Sequence, residues 1–362
     1  MDSFAFMIHP LDETDVERKF SVAKYLPDCV VRQILKLIPP FKASDITGVA
    51  SKHNEISGCF VTCPLTARQM TTLPEPFVMD KIIKAGKVAE AAGAKVLGLG
   101  AFTSVIGDAG ITVAKHLKIP VTTGNSYTVA TALEGAKMAA AMMGHNLDTA
   151  NIAIIGANGS IGSVCANILA REARHLKLVG KDEVKLQKLA HKILYETGLV
   201  AKIGTDVRSS VNEADIVICV TSSVDVLINP EDLKPGAVIC DVSRPRNVSR
   251  QVAELRNDVL VIEGGLVEVP GDVDFNLNFG FPPGMAYACM AETMILALEQ
   301  KYESYTLGRE LNVQQVLEIS KLAKKHGFKV AGFRSFEKAV TDSEIMAIKK
   351  NAVNKMLVTE TA

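Results

Sequence analysis

Tryptophan is absent from the 362 residues, and aromatic side chains make up only 5%, so recognition of bases or sugars by stacking is disfavoured. There is no charge surplus either. Lys plus Arg and Asp plus Glu each number 40, which argues against a nucleic-acid binder, whose surface would carry a basic excess. No apolar run is long enough to span a bilayer. Near the amino end, Asp2, Asp12, Glu13 and Asp15 break up any basic-then-apolar signal pattern. The seven cysteines, Cys29, Cys59, Cys63, Cys165, Cys219, Cys240 and Cys289, are odd in number and irregular in spacing. That is the pattern of reduced cytoplasmic thiols, not of a disulfide framework. Cys59 and Cys63 lie four apart, but no second Cys or His pair completes a zinc set, and no metal site is expected.

What the chain does have is 48% hydrophobic residues, ample for a core, in a length that allows two domains. One stretch organises it. Residues 151–162 read N-I-A-I-I-G-A-N-G-S-I-G: a short buried strand, a glycine-rich turn, and then a helix over 163–171. Gly156, Gly159 and Gly162 give the spacing G-x-x-G-x-x-G. In such a turn one glycine permits the tight bend, one lets backbone approach a pyrophosphate, and one lets helix pack on strand. The helix N-terminus then holds the phosphates. On this reading Gly156, Asn158, Gly159, Ser160, Ile161 and Gly162 bind a dinucleotide. A plain strand–turn–helix without ligand is the alternative. Further strands are expected over 177–179, 200–203, 216–220, 237–241 and 259–263, with helices over 183–197 and 207–214. This alternation predicts an α/β fold with a doubly wound parallel sheet of Rossmann type.

The end of the 177–179 strand bears on the cofactor. An NAD enzyme places Asp or Glu there, whereas an NADP enzyme places a cation near the 2′-phosphate. Here the strand runs into Gly180, Lys181 and Asp182. Lys181 can pair with a phosphate, Gly180 leaves room for it, and Asp182 caps the following helix. NADPH is therefore the expected cofactor. Thr221 and Ser222, at the end of the 216–220 strand, are expected beside it.

Before this domain the sequence reads as an α/β region. Strands are expected over 4–9 and 96–102, a hairpin over 45–62 around Ser51 and Asn54, and helices over 12–26, 30–38, 75–92 and 111–117. The polar cluster Thr122, Thr123, Gly124, Asn125 and Ser126 stands at a strand end, where α/β proteins hold ligands, or is simply a turn. An Ala- and Met-rich helix over 127–143 leads onward. The organisation expected is an amino-terminal α/β domain over 1–146, a nucleotide domain over 147–280, and a carboxy-terminal helical segment over 281–362 that packs back on the first domain. Residues 263–272 read as a glycine-rich, carboxylate-bearing, cleft-lining loop whose spacing does not match an EF-hand.

Cys289 stands in an apolar helix expected over 285–299. Near the start of a helix the dipole favours a thiolate, and a thiolate can attack a thioester. Glu292, three residues on, shares its face, a carboxylate where apolar residues prevail, and could donate or orient a proton. The spacing alone does not separate Cys289 from an inert core thiol such as Cys165 or Cys219.

The chain resembles the long-chain acyl–acyl-carrier-protein reductases, which make fatty aldehydes. The resemblance runs through segment 59–70, GAFTSV at 100–105, TGN at 123–125, GANGSIG at 156–162, EGGLVE at 263–268, ACMAE at 288–292 and HGF at 326–328, in shared order. It implies an NADPH-dependent reduction through a cysteine acyl-enzyme, with Cys289 as nucleophile and acyl carrier protein as donor. It further implies an aldehyde-consuming enzyme as partner. Donors near Thr103, Ser104 or Asn125 are expected to hold the developing oxyanion. Lys181 stands where the family usually has Arg, and Asn158 where Thr is common. Beyond Phe328 the chains diverge. The organisation is also similar to shikimate dehydrogenase and glutamyl-tRNA reductase. A dehydrogenase of small hydroxy or amino acids without a covalent step, and an NADP(H)-sensing regulator, are the rival readings.

Overall fold

The computed structural model describes residues 2–19, 21–243, 245–278, 280–336 and 338–360. The chain forms two compact units. The first contains residues 1–127, 267–311 and 317–329, and the second residues 128–266, 312–316 and 330–362. The division falls inside a helix, between Tyr127 and Thr128, whereas composition places it after that helix, at 146/147.

In the first unit the elements run β1 (Asp2–Ile8), α1 (Glu13–Lys19), α2 (Asp28–Leu37), β2 (Phe41–Ala50), β3 (Glu55–Thr62), α3 (Ala67–Thr72), α4 (Glu75–Ala91), β4 (Leu97–Leu99), α5 (Ile111–His116) and β5 (Val121–Thr122). The sheet order is β2-β3-β1-β4-β5, parallel except for the β2–β3 hairpin. Phe4, Ala5, Phe6 and Met7 are all buried, as expected for a central strand covered on both faces. Ala5, Met7, Cys59, Val61, Leu97 and Leu99 face Val78, Ile82, Ala85 and Ala89 of α4. Those four recur at helical spacing, which is why residues 75–91 pack as one amphipathic helix. The opposite face carries a later helix, α11 (Ala288–Leu298). A Cβ at Gly98 would lie 2.0 Å from the Thr293 hydroxyl of that helix, so only glycine admits it here.

Two expected elements differ. The strand expected to reach 102 ends at Leu99, and Ala101–Ser104 form one 3-10 turn. Thr103 and Ser104 donate their hydroxyls to the carbonyls of Gly100 and Ala101, at 2.7 and 2.6 Å, a bonding that competes with the strand ladder. The helix expected over 12–26 is α1 followed by a 3-10 turn, Ser21–Tyr25, with Phe20 outside the described residues.

From α6 (Asn125–Met143) the chain enters the second unit: β6 (Asn151–Ile155), α7 (Ser160–Leu169), β7 (His175–Val179), α8 (Glu183–Thr197), β8 (Lys202–Gly204), α9 (Val207–Asn212), β9 (Ile216–Cys219), β10 (Val238–Asp241), α10 (Gln251–Leu255) and β11 (Leu260–Glu263). The six strands are all parallel, in the order β11-β10-β9-β6-β7-β8. This is the doubly wound Rossmann order, with the switch point between β6 and β9. Asp182 caps α8 by accepting from the Lys185 N–H, and Gly198 ends it at φ +77°.

The chain then returns to the first unit with α11 (Ala288–Leu298) and most of α12 (Val313–His326). The last helix, α13 (Asp342–Glu360), does not pack back on that unit as expected. Its Lys349 ammonium donates to the Met142 carbonyl, Asn351 donates to the Asn257 carbonyl, and Lys355 pairs with Asp258 at 3.2 Å. These scattered polar contacts, with buried Ile345 and Ala352, place it with the second unit.

Candidate active site

In the first unit the site begins where β5 ends. Thr122 closes the strand, Gly124 turns at φ +74°, and α6 starts at Asn125. Facing this turn is the start of α11. That helix begins later than its apolar run suggests, because Met285–Tyr287 is extended and helical geometry starts only at Ala288. Cys289 is therefore the second helical residue, within the first turn. A Cβ on Gly124 would lie 2.3 Å from the Cys289 Cα and 2.4 Å from its Cβ. The two chain segments touch backbone to backbone, and the N-termini of α6 and α11 converge beside one thiol. Partial positive charge at helix N-termini favours a thiolate, and here two helices contribute.

The other thiols are placed differently. Cys63 and Cys165 are fully buried, and burial pushes each up to about 12. Burial raises Cys59 and Cys219 as well, the latter well above the ordinary thiol value. Cys240 is buried, Cys29 is exposed, and Cys289 is half-buried. Exposure, which spacing does not encode, separates Cys289 from Cys165 and Cys219.

Glu292 is fully buried one turn into α11. Thr122 donates its hydroxyl to Oε1 at 2.5 Å, and the Thr306 hydroxyl lies 2.8 Å from the same oxygen. The N–H of Tyr127 donates to Oε2 at 2.8 Å. Tyr127 is the third residue of α6, and Gly124 before that helix has no side chain to cap it. Glu292 thus caps α6 from another helix, satisfying an N–H that would otherwise be orphaned. Burial raises its pKa, opposed by the hydrogen bonds from Thr122, Tyr127 and Thr306. Both oxygens are engaged and the carboxyl is fully buried, so it ties the turn after β5 to α11.

Asn125 is half-buried beside Gly124. Thr103 and Ser104 sit on the turn after β4, which with β5 ends at the same edge of the sheet, but their hydroxyl protons are committed within their own turn. The same edge holds His9. Its Nδ1 donates to the Pro10 carbonyl, and its Nε2 accepts the Phe102 N–H at 3.1 Å. Burial pushes the ring down to about 4, so it is neutral with a defined tautomer. Sequence reasoning missed His9, Thr306 and the capping role of Glu292. The last had one legible signal, a lone carboxylate within an apolar helix.

In the second unit, the glycine turn is built as the dinucleotide motif requires. Gly156 has φ +94°, and a Cβ there would lie 2.7 Å from the Val220 carbonyl oxygen. A Cβ on Gly162 would lie 2.3 Å from the Gly156 oxygen. Gly159 precedes the first residue of α7, Ser160, so the loop presents a helix N-terminus flanked by Ile161. Glycine at the turn and at the helix–strand crossing keeps this cradle open to a pyrophosphate. Asn158 points elsewhere. Its Nδ2 donates to the Asp182 carbonyl at 2.9 Å, and its Oδ1 accepts the Asp182 N–H at 3.1 Å. Lys181 is exposed. Thr221 is half-buried and donates to Asn247 Oδ1, while its N–H donates to the Ser243 hydroxyl at 3.0 Å; Ser222 is exposed. Asp241 accepts the N–H groups of Ser243, Asn247 and Val248, forming a buried polar network that the sequence did not disclose. Glu263, read as part of a cleft-lining loop, is buried in an ion pair with Arg246 at 2.8 Å. Among the described residues no group of three or more His, Cys, Asp or Glu side chains could hold a metal ion, and no helix is long and apolar enough to cross a membrane.

The parallel sheet and the glycine cradle define the second unit as a Rossmann-type dinucleotide-binding domain for NADP(H). Comparison with known proteins narrows the class. Residues 137–263 match the family described as Shikimate / quinate 5-dehydrogenase. The chain is 29% identical over 327 residues to the Aminotransferase PigE of a Serratia strain, covering 87% of this chain but only 37% of that protein. It is 26% identical over 308 residues to the long-chain acyl-[acyl-carrier-protein] reductase of Synechococcus elongatus, covering 81% of this chain and 86% of that one. A glutamyl-tRNA reductase of Flavobacterium psychrophilum matches at 27% identity over 46% of this chain and 38% of its own length. Among solved structures, L-tryptophan dehydrogenase from Nostoc punctiforme aligns over 98% of this chain and 89% of its own, with TM-score 0.41 and 13% identity.

Proposed function

We propose that this protein reduces a long-chain fatty acyl thioester, carried on acyl carrier protein, to a fatty aldehyde. The observation that supports it is Cys289, a half-buried thiol at the convergence of two helix N-termini. The similarity to the Synechococcus reductase, which spans both units, points the same way.

The Cys289 thiolate attacks the thioester carbonyl, forming a C–S bond and an oxyanion. As the oxyanion collapses, the carrier's C–S bond breaks and the carrier leaves as a thiolate that takes up a proton. The N–H groups of Asn125 and Ser126, at the start of α6, are the donors best placed to stabilise that oxyanion. Glu292 keeps them fixed by capping the same turn. NADPH, when bound to the second unit, supplies the hydride that reduces the acyl group. Collapse of the resulting hemithioacetal anion expels Cys289 as a thiolate, so no residue need act as proton donor. Gly156, Gly159 and Gly162 provide the cradle for the pyrophosphate, and Lys181 is the cation offered to a 2′-phosphate.

The test is intact-mass analysis after mixing the protein with a long-chain acyl thioester. An acyl-mass adduct on the wild type, absent from Cys289→Ala, with aldehyde appearing when NADPH is added, is the expected result. Aldehyde formation by Cys289→Ala should fall by at least about a thousandfold. NADPH binding without adduct or aldehyde would overturn the proposal. A second reading is a dehydrogenase of small hydroxy acids, favoured by the family match over residues 137–263. In that case Cys289→Ala would keep a near-normal rate.

A further inference from the structure

We infer that Asn158 sets the choice of nucleotide by holding the β7–α8 turn, rather than by touching the pyrophosphate. The inference rests on the second unit being an NADP(H) domain and is independent of what the first unit does. Three observations carry it. The carboxamide pairs with the main chain of Asp182 in both directions, donating to its carbonyl and accepting its N–H. Its Oδ1 lies 2.0 Å, and its Cγ 2.7 Å, from where a Cβ on Gly180 would stand. Beyond this clasp, Gly180 donates its N–H to Gly204 at 3.1 Å, and the Asp182 side chain accepts from Lys185 at 3.0 Å. The turn is therefore held at both ends, and Lys181 between them is exposed, with no hydrogen bond or ion pair among the described residues.

The space at Gly180 is thus not left for phosphate, as the sequence suggested. It is filled by the Asn158 carboxamide. An NAD enzyme uses Asp or Glu at this strand end to hold the ribose 2′-hydroxyl, and such a side chain would repel a 2′-phosphate. Asn158 shuts that option out sterically. The same clasp sets the position of Lys181, a single unneutralised ammonium that can attract a phosphate dianion as a point charge. Asn158 is a positioning residue: it acts on the nucleotide through the turn.

The experiment uses two nucleotide fragments, 2′,5′-ADP and 5′-AMP, which differ in the 2′-phosphate. Binding is followed by calorimetry on the full chain, with thermal melting as a check on folding. The wild type is expected to prefer 2′,5′-ADP, and Lys181→Met to lose that preference. Asn158→Ala, and Asn158→Ser, which is too short to reach Asp182, are each expected to weaken 2′,5′-ADP about tenfold while 5′-AMP stays within about twofold, a loss of roughly 1.4 kcal/mol. Gly180→Asp alone is expected to bind neither fragment well. Combined with Asn158→Ala it should bind 5′-AMP and reject 2′,5′-ADP. Equal weakening of both fragments by the folded Asn158 variants, or no weakening, would overturn the inference. So would a Gly180→Asp single variant that binds 5′-AMP as well as the double variant does. A wild type that binds neither fragment would sink the NADP(H) assignment itself, whereas loss of aldehyde formation alone would bear only on the first unit.

Discussion

At the scale of the residue, Cys289 and Gly124 work as a pair drawn from distant parts of the chain. Gly124→Ala meets two obstacles: a left-handed φ of +74°, and a Cβ 2.3 Å from the Cys289 Cα. The strained backbone costs about 1–2 kcal/mol and overpacking roughly 1–3 kcal/mol more. The variant should unfold at lower urea and form the acyl adduct slowly or not at all, both read from one preparation. Thiol accessibility gives a second prediction. In the native protein iodoacetamide should label Cys289 and Cys29, while Cys63, Cys165 and Cys219 react only after denaturation, because burial keeps them as thiols. Peptide mapping checks this, and native labelling of Cys165 would contradict the packing described. The cysteine was visible in the sequence as a candidate among seven. Its partner glycine was visible only as part of a polar turn, because a contact between residues 124 and 289 leaves no local spacing to read.

At the scale of the element, the feature that matters is a helix capped by another helix. Removing the carboxyl in Glu292→Ala takes the acceptor from the Thr122 hydroxyl and the Tyr127 N–H, while the Thr306 hydroxyl keeps Ser126 at 3.0 Å. Each such group costs roughly 1–3 kcal/mol, so a total near 3 kcal/mol is expected in urea unfolding, with slower alkylation of Cys289 as the turn loosens. The pH dependence has a definite sign. Burial raises the Glu292 pKa in the folded state, so the folded protein binds this proton more tightly than the unfolded chain. Its contribution is full below the unfolded carboxyl value and is lost as pH rises through the folded one. Stability of Glu292→Gln relative to the wild type should therefore increase as pH rises across that window, measured as the difference in urea midpoints. Elements with strong period or caps were legible: α8 with its Asp182 cap and the β2–β3 hairpin. The start of α11 was not, since Met285, Ala286 and Tyr287 are as apolar as the helix that follows, and only tertiary pairing makes them extended.

At the scale of the whole molecule, acid and nucleotide should act on different parts of the chain. His9 titrates near 6.5 when unfolded and about 4 when folded, because burial disfavours its charge. Its contribution is full above the unfolded value and is lost as pH falls toward the folded one, an effect of up to about 3 kcal/mol. Equilibrium unfolding of His9→Gln should show a flatter acid limb than the wild type. NADPH at a hundred times its Kd should stabilise the second unit by about 2.7 kcal/mol, seen as a rise in thermal midpoint that Lys181→Met reduces. The doubly wound parallel sheet was readable because strand and helix alternate with punctuating glycines over residues 151–263. The division of the tail was not readable, because α13 buries only isolated apolar residues such as Ile345 and Ala352 and is otherwise joined to the second unit by scattered polar contacts.

The backbone contact at Gly124 has a consequence for descent as well as for chemistry. Every missense change in its codon installs a side chain, and every side chain starts with the atom for which there is no space. The position has no neutral neighbours in sequence space. Lineages that keep the thiol at 289 in use should carry this glycine unchanged, while those that have given up the thiol's chemistry are freed from it, so the two sites should be retained or lost together.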